Sequence, residues 1–167
     1  MSVSLRDENP DDVTEIGRVT TAAFEQAEHS DGTEADIVER LRSSGNLTVS
    51  MVAVAKGGAV VGHIAFSPVT ITDGSTDWYG LGPVSVLPER QGTGIGSRLI
   101  RRGIEVLKER NAAGIVLLGN PDYYGRFGFE SDPQVRYPGP PPEYFQRLVL
   151  RGDSPCGEVS YCSAFGG

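Results

Sequence analysis

The sequence predicts a single α/β domain, and two observations lead to that prediction. Segments with the apolar spacing of helices alternate with β-branched segments, in the order helix, helix, strands, helix, strand. The chain has 167 residues, and domains commonly span roughly 100 to 200 residues. We therefore expect one domain over residues 1–167, with helices packed on a sheet.

Two helices are predicted in the N-terminal part of the chain. Asn9 can cap the first helix, and Pro10 suits its first turn because that turn needs no backbone donor. The second helix begins at Thr33, and Asp36 stands three residues later, close to capping-box spacing. A polar link at residues 25–32 joins them. Helical spacing of apolar positions supports both helices at Val13, Ile16, Thr20, Ala23, Phe24, Ile37, Val38 and Leu41.

Strands are predicted before and after the central helix. Residues 47–55 and 59–69 are rich in β-branched residues and flank the turn Lys56-Gly57-Gly58, which predicts a hairpin. A third strand is expected at about residues 78–86, and the apolar run GIVLL at 114–118 is typical of a buried strand.

Composition and charge exclude several classes of protein. A net charge of -7 argues against broad binding to nucleic acid or an anionic membrane, since such binding needs a basic face. The N-terminus has no leader pattern, and no apolar run approaches the roughly 18 residues of a membrane span, so we expect a cytoplasmic protein. Cys156 and Cys162 are expected to be free, and no metal site is expected.

Three glycines at alternate positions, Gly92, Gly94 and Gly96, lead into the amphipathic segment that begins at Ile95. Uncovered backbone N–H groups at the positive end of a helix bind anions. Glycine lets a phosphate approach the backbone closely. The glycines therefore indicate a ligand that carries phosphate.

Two common phosphate motifs do not fit. The dinucleotide fingerprint GxGxxG fails because Ser97 stands where its last glycine belongs, and the P-loop fails because no Gly-Lys-Ser/Thr follows. Gln-x-x-Gly-x-Gly at residues 91–96 does match, and it resembles the acetyl-CoA signature of the GNAT superfamily of N-acetyltransferases. YGRFGF at residues 124–129 is similar to a downstream element of that family. The surrounding sequence looks like a bacterial GNAT subgroup of mostly uncharacterised members.

The resemblance implies a mixed, mostly antiparallel sheet with helices on both faces and acetyl-CoA in a splay between central strands. It also implies that the Val84 N–H faces the acetyl carbonyl, that Val86 pairs with the pantetheine arm, and that Ser85 belongs to the same cofactor strand. Gln91 helps to set the turn. The pyrophosphate of coenzyme A is then held by the amides of Gly92, Thr93, Gly94, Ile95, Gly96 and Ser97.

The implied reaction is direct transfer of an acetyl group to the primary amine of a small molecule or peptide. Tyr124 occupies the general-acid position of the family, although Tyr123 beside it or a purely structural role remains open. Asn120 is a further cofactor candidate. The outer phosphate of the ligand could meet one of the helix arginines, but exposed arginines are usually only solvated.

The acceptor site has weaker signals. His29 and Glu28 lie in the link between the first helices, where the family forms its acceptor site, but they also suit a polar loop. His63 shares a strand face with Val61 and Ala65 and is either a base or a satisfied half-buried side chain. Proton removal through ordered water needs none of them. The sequence leaves monomer and homodimer open.

Two other functions compete with catalysis. One is a non-catalytic acyl-CoA sensor or regulatory module, which keeps the cofactor cleft but has no turnover. The other is a protein-interaction domain that presents the proline-rich stretch at residues 137–144 as a ligand. A stiff surface loop is the simpler interpretation of that stretch.

Overall fold

The structure is a computed structural model, and it describes residues 2–25 and 32–165. The chain divides into two compact units: Met1–Phe66 with Gly82–Val106, and Ser67–Leu81 with Leu107–Gly167. The strands are β1 (Val3–Asp7), β2 (Val49–Ala55), β3 (Val60–Ile71), β4 (Trp78–Val86), β5 (Gly114–Leu118), β6 (Val135–Arg136), β7 (Phe145–Val149) and β8 (Gly157–Tyr161). The helices are α1 (Val13–Phe24), α2 (Glu34–Ser43), α3 (Ile95–Glu109) and α4 (Pro121–Tyr124).

The predicted helix starts are found, with one difference in chemistry. The Asn9 side chain accepts a hydrogen bond from the Asp11 amide, and Asp12 accepts from the Asn9 amide, which together form a capping box. This box closes a 3-10 turn that leads into α1. Thr33 stands at the N-cap of α2 but makes no capping hydrogen bond with its side chain. The capping-box expectation there was wrong, although the helix start was right.

The sheet of the first unit contains the predicted hairpin. Strands β2 and β3 pair antiparallel, and β1 pairs antiparallel with β2 through matches such as Leu5 with Ala53. Strand β1 was not predicted, because five residues with one half-buried face give little periodic signal.

Helices cover both faces of this sheet. A Cβ added at Gly62 of β3 would lie 3.1 Å from Ile95 and 3.2 Å from Leu99, so that face meets α3. A Cβ at Gly103 of α3 would lie 2.3 Å from the Phe66 ring, so glycine permits the close approach of helix and strand. Alternate residues of a strand point to opposite faces. His63 therefore points away from α3, toward the side of Arg42 on α2.

The second unit contains parallel and antiparallel pairs. The start of β4 pairs parallel with β5, and β5 pairs antiparallel with β7. The end of β3 pairs antiparallel with β8, which pairs parallel with β6. The fold is therefore α/β with a mixed, mostly antiparallel sheet, as predicted. Its buried apolar core in this unit consists of Val69, Ile71, Trp78, Ala113, Val116, Val135, Phe145 and Val159.

Cys156 and Cys162 are both free. Within residues 2–25 and 32–165, no helix has the length and apolar character needed to cross a membrane. The same residues contain no cluster of three or more side chains suited to hold a metal ion.

Candidate active site

The glycine turn, residues 91–97, lies in the first unit between β4 and α3. Gly92 and Gly94 have φ angles of +79° and +89°, which L residues with side chains rarely adopt. A Cβ added at either position would meet no atom within 4 Å. The chain therefore needs glycine here for its backbone conformation, and the space beside both residues is open.

Two side chains fix the shape of this turn. The Gln91 side chain donates from Nε2 to the Val86 carbonyl at 3.0 Å and so ties the turn to the end of β4. The Thr93 hydroxyl donates to the Arg90 carbonyl at 2.6 Å. Gln91 thus holds the turn against the end of β4, and its part in a cofactor site stays a prediction.

The turn ends at the N-terminus of α3. The Arg98 amide donates to the Gly94 carbonyl at 3.1 Å and makes the first bond of the helical pattern. Helix geometry provides no carbonyl in a preceding turn for the amides of Ile95 and Gly96. These amides lie at the positive end of a 15-residue helix, a site suited to a phosphate.

The backbone N–H and C=O groups of β4 point alternately to two sides of the strand, one toward β3 and one away from it. The Leu87 amide donates to the Val61 carbonyl at 2.9 Å, and a Cβ at Gly62 would lie 3.2 Å from the Ser85 carbonyl. The backbone groups of Ser85 and Leu87 therefore point toward β3. Because alternate residues direct their backbone groups to opposite neighbours, those of Val84 and Val86 point away from β3.

On that second side, strand pairing stops early. The described pairs between β4 and β5 run from Trp78 with Gly114 to Gly80 with Val116, whereas β4 continues to Val86. The backbone of Val84 and Val86 is therefore not used in a β5 ladder among the described residues. The use of Val84 and Val86 as a cofactor strand stays a prediction.

Tyr124 lies in the second unit on what we call the tyrosine seat, formed by Gly119, Phe127 and Phe129. A Cβ added at Gly119 would lie 2.4 Å from Cε2 of Tyr124, so the ring covers the face of this glycine. The Phe127 and Phe129 rings each stand 6.2 Å from the Tyr124 ring, centroid to centroid. The phenol is thus held by packing on several sides.

Burial raises the pKa of Tyr124 to about 12, with a smaller contribution from Tyr123. The hydroxyl therefore keeps its proton at neutral pH and can donate it. Tyr123 has different surroundings, because the Arg126 guanidinium lies 4.5 Å above its ring. Both tyrosines are partly exposed, and the assignment of the acid role to Tyr124 stays a prediction.

Gln146 of β7 is part of the same region, although no sequence pattern predicts it. Its side chain is 1% exposed, and Nε2 donates to the Gly119 carbonyl at 3.0 Å. The Gly119 amide donates to the Tyr144 carbonyl at 2.9 Å. Sequence gives no sign of this contact, because 27 positions separate Gln146 from Gly119.

Asn120 has a structural task. Its side chain accepts from the Asp122 amide at 2.9 Å and caps the short helix α4. Its carbonyl accepts from the amides of Tyr123 and Tyr124. Asn120 therefore orients the segment that carries Tyr124, and its contact with a cofactor stays a prediction.

His63 belongs to a partly buried polar cluster in the first unit, together with Glu8, Ser50 and Arg42. His63 is 0% exposed, and its Nε2 lies 2.7 Å from the Ser50 hydroxyl. That hydroxyl donates to Glu8, which forms a double hydrogen bond with Arg42 at 2.8 Å for both contacts. Because Ser50 donates its single proton to Glu8, His63 donates from Nε2.

The protonation state of this cluster follows from burial and charge. Burial lowers the pKa of His63 to about 4, and the Glu8 carboxylate only partly opposes this shift. Burial alone would raise the pKa of Glu8, but hydrogen bonds from Arg42 and Ser50 lower it below its usual range. His63 is thus neutral at pH 7, and its enclosure favours a structural role. Glu28 and His29 lie outside the described residues.

The proline-rich loop packs on the second unit. Tyr137 stacks on Phe145 with ring centroids 5.3 Å apart, and it meets Tyr161 edge-on at 5.2 Å. The Ser131 hydroxyl donates to the Pro142 carbonyl at 3.0 Å. These contacts favour a stiff surface loop over an extended ligand for another domain.

Comparisons with known proteins agree with the predicted family. A family model described as an acetyltransferase (GNAT) domain matches residues 4–131. The uncharacterised N-acetyltransferase YhbS of Escherichia coli strain K12 is 37% identical over 139 residues, which cover 81% of this chain and 80% of that protein.

Solved structures give the same result. A GNAT family acetyltransferase from Brucella melitensis, in complex with acetyl-CoA, has a TM-score of 0.88 and 48% identity, covering 98% of both chains. The structure of E. coli YhbS in complex with CoA has a TM-score of 0.87 and 33% identity, covering 99% of this chain and 92% of that one.

Proposed function

Since the chain belongs to the GNAT acetyltransferase family, we propose that it transfers the acetyl group of acetyl-CoA directly to a primary amine of a small molecule or peptide. The observation that carries the proposal is the glycine turn at the N-terminus of α3, which is suited to a pyrophosphate. Acetyl-CoA is the donor, because relatives at 48% and 33% identity were crystallised with acetyl-CoA and CoA.

The glycine turn binds the donor in this proposal. The positive φ angles of Gly92 and Gly94 and the tie from Gln91 to Val86 fix the loop before a ligand arrives. Backbone amides at the N-terminus of α3 then receive the pyrophosphate oxygens. The absence of Cβ atoms at the two glycines lets those oxygens come close to the backbone.

The second half of β4 holds the acyl end of the donor. The backbone groups of Val84 and Val86 point away from β3, and the described β5 pairs end before them. In this scheme, Val86 binds the pantetheine arm and the Val84 N–H donates to the thioester oxygen. An N–H aimed at that oxygen stabilises the negative charge that develops during attack.

Tyr124 supplies the proton for the departing thiolate. Its pKa, raised by burial, keeps the phenol protonated until the carbon–sulfur bond breaks. An alkyl amine has a pKa of roughly 10 and must lose a proton before it attacks, for which ordered water is sufficient. The amine nitrogen bonds to the acyl carbon as the carbon–sulfur bond breaks, and CoA leaves as a thiol that carries the Tyr124 proton. The second proton of the attacking nitrogen passes through water and restores the Tyr124 phenol.

The experiment that tests this proposal is an acceptor screen. Purified protein is incubated with acetyl-CoA and a mixed panel of amines and peptides, and thiol release and acetylated products are followed by mass spectrometry. We expect an amine-dependent product with one acetyl group per amine. The Gly94→Val variant is the matched negative control, because it alters only the donor turn.

The screen also distinguishes the sensor alternative. Tight binding of acetyl-CoA without product from any amine would favour a regulatory module and count against catalysis. Failure to bind acetyl-CoA at all would overturn the site itself.

A further inference from the structure

We propose that Gln146 is a positioning residue for Tyr124, because its side chain fixes the glycine on which the phenol ring rests. The inference rests on the proposed role of Tyr124 as the general acid. It adds a residue that has no contact with the reacting groups in the scheme above. All the contacts that support it lie within the second unit.

Gly119 is held from three directions. Its amide donates to the Tyr144 carbonyl at 2.9 Å, and its carbonyl accepts from Nε2 of Gln146 at 3.0 Å. The Tyr124 ring packs against the side of Gly119 where other residues carry a Cβ, and a Cβ added there would lie 2.4 Å from the ring. A shift of Gly119 therefore moves the surface that sets the position of the ring.

The side-chain amide of Gln146 acts as the hydrogen-bond donor in its contact with Gly119. Because the Gly119 oxygen can only accept, the nitrogen of the amide must face it. The other end, Oε1, is buried and has no hydrogen-bond partner among the described residues. An unpaired buried acceptor is costly, and such groups call for an explanation. We explain this one by the contact with Gly119.

Catalysis is sensitive to such support. A misplacement of a catalytic group by roughly 1 Å can reduce the rate about 100-fold, although the group itself is intact. Loss of the Gln146 contact should therefore reduce turnover without weakening donor binding, since the glycine turn belongs to the first unit.

The test begins with Gln146→Met, which keeps the length and removes the donor. We expect kcat to fall about 10-fold, with KM for acetyl-CoA within about twofold of the parent value. Gln134→Met is the matched control, because Gln134 is an exposed glutamine of the same unit. This control should leave both constants unchanged.

A second variant separates positioning from general loss of structure. In Gln146→Glu, the ionised carboxylate has no proton to donate to Gly119, whereas the protonated acid has one. Burial raises the pKa of a carboxyl group, so the acid form returns as the pH falls. The kcat ratio of Gln146→Glu to Gln146→Met should rise as the pH is lowered from 8 to about 6.

The outcomes are distinct. A full rate in Tyr124→Phe would remove the acid role and with it the premise of the inference. A slow Tyr124→Phe together with normal kcat in Gln146→Met would overturn only the role of Gln146. A flat ratio between the two Gln146 variants across this pH range would also overturn it.

Discussion

The glycine turn and the tyrosine seat use glycine for opposite reasons. At Gly94 the space is open and the backbone conformation, with φ of +89°, is what excludes other residues. At Gly119 the space is full, because an added Cβ would lie only 2.4 Å from the Tyr124 ring. A site built from backbone amides thus depends on conformation, and a site built from a side chain depends on packing.

The largest effect is expected from Gly94→Val, which places a side chain beside the donor amides. Affinity for acetyl-CoA should fall by about 100-fold or more, because the variant combines backbone strain with blocked phosphate approach. Isothermal titration calorimetry measures the change. Gly74→Val is the matched control, since Gly74 has φ of +85° with open space around it. Equal loss of affinity in both variants would contradict a phosphate site at the turn.

The next effect is expected at the tyrosine seat. Tyr124→Phe removes the proton donor but keeps the ring, and general acid catalysis contributes about 100-fold or more. We expect kcat to fall by about that factor, with unchanged affinity for acetyl-CoA. Steady-state kinetics and calorimetry separate the two quantities. Tyr123→Phe serves as control, and a larger loss in that variant would move the acid role to Tyr123.

The His63 cluster, which belongs to neither the glycine turn nor the tyrosine seat, should make the stability of the protein depend on pH. The unfolded state binds a proton at His63 below pH 6.5, whereas the folded state does so only near pH 4, so stability falls as the pH falls between these values. The loss between pH 7 and pH 5 is about 2 kcal/mol. It should be nearly absent in His63→Gln, which keeps a polar group beside Ser50.

Urea unfolding at several pH values measures this difference. Equal pH dependence in the parent protein and in His63→Gln would show that other groups cause it. Glu8 contributes with the same sign but at lower pH, because its pKa is below the usual range.

The smallest effect is expected from Gly119→Ala, which tests whether the position of the Tyr124 ring depends on the absence of a side chain at residue 119. The added methyl group displaces the Tyr124 ring, and kcat should fall about 10-fold while donor affinity is retained. Gly17→Ala is the control, because Gly17 lies in α1 with nothing within 4 Å of a Cβ. That variant should gain up to about 1 kcal/mol of stability. Loss of acetyl-CoA affinity in Gly119→Ala would contradict the separation of the two regions.

The sequence predicted the glycine turn better than the tyrosine seat, because the turn is built from neighbouring residues and the seat from contacts between distant segments. Strand β4, helix α3 and the glycine turn are local, and apolar spacing and glycine placement indicated all three. The contact of Gln146 with Gly119 and that of Glu8 with Ser50 and Arg42 arise only when distant segments meet. A buried glutamine and a surface glutamine look alike in sequence, so no periodic pattern identifies such partners.

Short strands also give too little periodic pattern to be predicted from the sequence. Strand β6 has two residues, and β1 has a short pattern that a loop could also show. Both are stabilised by their neighbours in the sheet, which lie far away in the chain. The family signature was more informative than periodicity, because glycines and a tyrosine at fixed spacing reflect a ligand as well as a fold.

The hydrogen bond from Gln91 to the Val86 carbonyl, which holds the glycine turn against β4, affects the rate at which the donor associates. A loop that is already closed on its strand has little ordering entropy left to lose when a ligand arrives. Encounter, and not loop rearrangement, should then limit association. Encounter itself is slowed by repulsion between an anionic ligand and a chain of net charge -7. Added salt should therefore accelerate donor capture, opposite to the behaviour of a basic phosphate-binding protein.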